Sequence, residues 1–93
     1  MHTYLIHRTI PGAGQMDDVA LASISAASNE ALAPLAPHVQ WVHSYVVDDA
    51  IVCVYRAAGP EGIREHARCG GFPVDTIDVV RAVIDPTTAE RAS

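Results

Sequence analysis

Two runs rich in β-formers, residues 39–47 and 50–56, are separated only by Asp48 and Asp49. A loop that short joins antiparallel neighbours, because a parallel pair needs a crossover of roughly a dozen residues. With a two-residue loop Val47 faces Ala50. Counting outward then sets Tyr45 opposite Val52, His43 opposite Val54 and Trp41 opposite Arg56, all on one face. Ser44 with Cys53, Val42 with Tyr55 and Val46 with Ile51 take the other. In this register His43 and Cys53 cannot reach one ion unless the pairing slips by a residue or a second subunit supplies a donor.

The rest of the chain is organised around this hairpin. Residues 3–9 alternate as a strand, and Pro11-Gly12-Ala13-Gly14 stops it. Over residues 16–33 the small and apolar side chains of Ala20, Leu21, Ile24, Ala27 and Ala31, continued by Leu35, fall on one side of a helix. Asp17 and Asp18 suit its N-terminal end, and Pro34 and Pro37 close it. Gly59-Pro60 opens a second helix of about nine residues, ended by Gly70-Gly71. Residues 77–84 read as the last strand, which Pro86 terminates. The order strand, helix, strand, strand, helix, strand predicts an α+β chain of ferredoxin-like βαββαβ layout: a four-stranded antiparallel sheet with two helices on one face. We expect a single domain over residues 1–86 and a mobile tail over 87–93.

Composition limits the partners. A chain of 93 residues has room for one core, and with one Trp, three Tyr and one Phe that core is aliphatic. Covering the bare sheet face with a second copy would bury surface the monomer leaves wet, so a homodimer is expected. A net charge of −5 with no Lys argues against nucleic acid. No apolar run approaches the roughly 18 to 20 residues that span a bilayer, and no basic-then-apolar leader begins the chain, so the expected location is cytoplasmic with no membrane partner. In a reducing compartment Cys53 and Cys69 are expected as thiols.

In the second helix Ile63, His66 and Ala67 share the stripe that faces the sheet, so His66 points inward. Cys69 follows three residues later, a spacing at which two side chains can share a metal, while Glu65 points elsewhere. Each of these residues also has a plain reading. His43 in an alternating strand is commonly a half-buried, hydrogen-bonded histidine, and Cys53 between valines is commonly a small core residue. His2, His7 and His38 read as solvated, and Trp41 and Tyr45 as dimer-interface residues. There is no Gly-rich phosphate loop, nucleophile elbow or H-E-x-x-H. The competing enzymatic reading is a cofactor-independent isomerase, cyclase or oxygenase, with His43, Tyr45 and His66 as acid and base in a pocket between sheet and helices. A non-catalytic role is favoured over it.

Four stretches carry a resemblance that spans nearly the whole chain. They are residues 8–14 (RTIPGAG), residues 41–49 (WVHSYVVDD) with Cys53-Val54-Tyr55, residues 63–68 (IREHAR), and residues 70–73 (GGFP) with 83–90 (VIDPTTAE). In these the chain resembles a family of small bacterial nickel-binding proteins long described only by a domain of unknown function. The resemblance implies a ferredoxin-like subunit in a dimeric α+β barrel association, with Ni²⁺ held at or near the dimer surface for sequestration or detoxification. His43, His66 and Cys53 are the metal ligands expected on matching positions. Two positions depart from the family pattern: His7 stands where an acidic residue is usual, and Cys69 where a basic one is more frequent. Both add a possible ligand.

Overall fold

The computed structural model describes residues 1–91, which form in order β1 (His2–Thr9), α1 (Asp18–Leu32), β2 (Val39–Val47), β3 (Ala50–Ala57), α2 (Pro60–Gly70) and β4 (Thr76–Val79). The strands make one antiparallel sheet in the order β2-β3-β1-β4. This is the ferredoxin-like arrangement, with α1 and α2 over one face. Alternation in β1 sends Tyr4, Ile6 and Arg8 beneath the helices, and the pairings Tyr4↔Tyr55, Ile6↔Cys53 and Arg8↔Ile51 continue that face into β3. The opposite face, carrying Leu5, His7, Tyr45 and Val52, has no covering element among the described residues.

Local chemistry fixes the helix ends. The Asp17 carboxylate accepts from the Ala20 amide at 2.8 Å and caps α1. Pro60 occupies the first turn of α2, where its missing N–H costs nothing. At the other end Gly71 has φ 69°, a conformation glycine takes without strain, and the Phe72 amide donates to Ala67 O at 2.9 Å. That closure swings the Phe72 ring back towards α2. Glycine is also required at Gly14, where a Cβ would stand 2.9 Å from the Asp48 Cα, because the turn after β1 lies against the hairpin loop. Gly14 N donates to Asp48 O and Gly12 N to Asp49 Oδ1, both at 3.0 Å.

Three expectations require correction. The hairpin register holds from Val47↔Ala50 to His43↔Val54, but Val42 is then an extra residue in β2, and Trp41 faces Tyr55 rather than Arg56. This bulge moves Trp41 to the helix-covered face. The last strand ends at Val79 rather than Ile84, because β1 runs out: Val79 pairs with Tyr4, Val80 N donates to Thr3 O, and little of β1 remains to pair with residues 81–84. Val83 and Ile84 are consequently 76% and 78% exposed. In α1 the buried residues are Ser28 and Leu32 while Ala27 is exposed, so the helix is rolled away from the expected stripe.

Past β4, Asp85 caps a 3₁₀ turn over Pro86–Glu90, accepting from the Thr87 amide at 2.9 Å. Residues 92 and 93 of the expected tail lie outside the described residues. Among the described residues no helix is long and apolar enough to cross a membrane.

Candidate functional site

Between the helix-covered face of the sheet, α1 and the segment after α2 lies a cavity of about 480 Å³. Leu21 and Ile24 of α1, Trp41 and Val46 of β2, and Phe72 give it apolar walls. Its lining includes one charged side chain, Arg8, and no Asp or Glu. Arg8 is only 4% exposed. Its Nη1 donates to Pro73 O at 2.7 Å and its Nε to Cys53 Sγ at 3.4 Å, while the buried Nη2 has no hydrogen-bond partner among the described residues. The guanidinium carbon lies 5.9 Å from the Tyr55 ring centroid and 5.6 Å from that of Phe72. Aromatic faces attract a cation but do not replace a counter-ion.

Behind this wall His66 is fully enclosed. Its Nε2 lies 2.9 Å from Tyr55 Oη and 3.3 Å from Ser28 Oγ, and its Nδ1 is buried without a partner among the described residues. Burial, reinforced by the Arg8 charge, pushes the imidazole down to about 4, so it is neutral at pH 7. The Tyr55 phenol is raised, chiefly by burial, against the opposing effects of its Ser28 hydrogen bond and the Arg8 charge. The roll of α1 has its cause here, since Ser28 must face inward to meet His66. The group is a neutral polar relay joining α1, α2 and β3.

His43 lies on the open face. It is exposed, with its Nε2 3.1 Å from Tyr45 Oη and the two rings edge to face at 5.0 Å. Further across that face, His7 Nδ1 lies 3.6 Å from Asp75 Oδ2, whose carboxylate also accepts from the Thr9 amide at 2.8 Å and from the Thr9 hydroxyl. Those Thr9 bonds, the hydroxyl's foremost, hold the Asp75 carboxyl below its usual range. Cys69 faces outward from α2, its thiol 3.5 Å from Glu65 Oε1, and so cannot share an ion with the enclosed His66 as their spacing suggested.

The three expected ligands therefore separate. Cys53 and His66 are on the helix-covered side, and His43 is on the other face of the sheet, as the hairpin count placed it relative to Cys53. His43, Tyr45 and His66 do not converge, and none of them lines the cavity. Among the described residues no three His, Cys, Asp or Glu side chains gather closely enough to hold a metal ion. A single chain thus offers donor pairs, not a complete coordination sphere. Sequence reasoning missed Arg8, Ser28 and Tyr55. Arg8 had a signal, since it shares the parity of the inward-facing Tyr4 and Ile6; Ser28, on a helix of small residues, had none.

A family model described as nickel responsive protein, SCO4226-like, matches residues 4–80. The chain belongs to this SCO4226-like family. The crystal structure of SCO4226 from Streptomyces coelicolor A3(2) superposes with a TM-score of 0.72 at 13% sequence identity, covering 88% of this chain and 99% of that one. At that identity the likeness shows the shared fold. No curated protein matches the chain. Within the SCO4226-like fold, the helix-covered and open faces described above are two chemically separate surfaces.

Proposed function

We propose that this chain binds nickel as a homodimer and serves in nickel sequestration or detoxification. The observation that carries this is its membership, over residues 4–80, of a nickel-responsive family. The open face supports it. His43 is free to reach an ion in solvent, and Leu5, Tyr45 and Val47 beside it are 39%, 58% and 50% exposed, a surface suited to a second copy. An isologous twofold sets the same patch of both subunits together, so donors close to its axis would combine with those of the second copy into one site. Ni²⁺ takes imidazole nitrogen, with carboxylate or water filling the remaining positions. His43 is the ligand we assign, with the His7–Asp75 pair as a second donor group. His66 and Cys53 would accept a divalent cation only against the repulsion of the Arg8 guanidinium that contacts Cys53.

The test is titration of the metal-free protein with Ni²⁺ by calorimetry, with mass measured by light scattering. Saturable binding by a dimer is expected, with His43→Ala weakening it by about tenfold or more. A wild-type protein that stays monomeric and takes up no nickel would end the proposal.

A further inference from the structure

Most buried guanidinium groups sit beside a carboxylate, because an unpaired charge removed from water is among the most costly things a protein interior can hold. Among the described residues Arg8 lacks such a partner: the cavity it lines contains no acidic side chain, and its Nη2 is buried without an acceptor. Arginine cannot escape by losing its proton, since it stays charged throughout the ordinary pH range. The cavity is also large enough to matter. At about 480 Å³ it falls within the range of pockets that take small organic ligands, and nearly all its lining is apolar. Pro11 and Val46, both exposed, line it as well, so it is reached from solvent.

We propose that this cavity is a binding site for a small apolar molecule bearing one carboxylate, with Arg8 as its counter-ion and the walls of Leu21, Ile24, Trp41 and Phe72 around its body. Guanidinium and carboxylate match in geometry, and the bond they form in an apolar surrounding is stronger than in water. Tyr55 and Ser28 also line the cavity, and a hydroxyl of the two that does not donate to His66 Nε2 can donate to the headgroup. The neutral His66 behind them holds these hydroxyls in place without adding a competing charge. The site lies on the opposite side of the sheet from His43, so it stands independently of the nickel proposal.

Trp41, the only tryptophan in the chain, lines the cavity and reports occupancy by its fluorescence. The probes are octanoate and 3-phenylpropanoate, each against the alcohol of the same skeleton, with chelator-treated, metal-free protein. Each acid is expected to change the Trp41 emission saturably and to bind about 10- to 100-fold more tightly than its alcohol, the range that a charge-assisted hydrogen bond supplies. Arg8→Met, which keeps much of the length and loses the charge, is expected to abolish that preference while retaining the alcohols. Should Arg8→Met fail to fold, the wild-type Arg8 Nε–H resonance gives the same answer, moving with the acids and staying put with the alcohols. Ile24→Phe, which adds bulk to the cavity wall and leaves Trp41 the one indole, is expected to weaken binding of both kinds of probe. Equal binding of acid and alcohol, or no binding of either acid, overturns the proposal.

Discussion

His43 and His66 are the same residue type on two sides of one sheet, and their surroundings make them different chemical groups. His66 is sealed between α2 and β3, tied to Tyr55 and Ser28, and too poorly solvated to accept a proton near neutrality. His43, on the far side of the sheet, is exposed, with its Nε2 against Tyr45 Oη. An imidazole's usefulness to a metal depends on whether an ion can approach it, and its usefulness to the core depends on whether it stays neutral there. Burial gives His66 the second of these tasks, and exposure leaves His43 open to the first, which we propose for it.

Truncation on either side probes that division most strongly. Ile63→Ala, beneath α2, is expected to cost about 2–5 kcal/mol in urea unfolding, as deletion of a fully buried aliphatic side chain does. Leu5→Ala on the open face should cost the isolated chain less than about 1 kcal/mol, scaled to its partial burial. A Leu5→Ala loss that matches Ile63→Ala and shrinks with dilution would mean that a second copy covers the face in solution.

Acid probes the buried histidine next. Because His66 stays unprotonated in the folded chain down to about pH 4 while the unfolded chain protonates it below about 6.5, the unfolded state binds more protons between those values. Stability should therefore fall as pH drops from about 6.5 to about 4, by on the order of 3 kcal/mol from this group, and level off below. His66→Phe should flatten that slope, and a slope that survives the substitution would remove His66 as its source. The smallest effect is expected beyond β4: Ile84→Ser should move the unfolding midpoint by less than about 0.5 kcal/mol equivalent, as for an ordinary surface site. A larger loss would show that this extended segment is covered in solution.

Much of the fold was legible because the signals were local. The hairpin was readable from Asp48-Asp49, the helix stops from Gly71 and the prolines, and the inward turn of His66 from its spacing to Ile63 and Ala67. The features that escaped depend on non-local pairing. Nothing near residue 80 says that β1 will be exhausted there, and nothing in Trp41-Val42-His43 announces that Val42 will be left over. The cavity was hidden for a related reason. A basic residue at the end of an alternating strand reads as solvated, and only the packed Tyr55, Phe72 and Pro73 around Arg8 show that it is enclosed.

The surplus residue at position 42 acts on β2 as a frameshift acts on a message. Upstream of it odd-numbered positions address the cavity, and downstream even-numbered ones do, which is why Trp41 and Ser44 meet through a 2.9 Å hydrogen bond although they are three apart. Deleting Val42 would restore a single phase and leave Trp41 opposite Tyr55 and His43 opposite Val54, as they are now. The surplus residue is what lets Trp41 and His43, two apart along the chain, address opposite sides of one sheet, the lone indole the interior and the imidazole the outside.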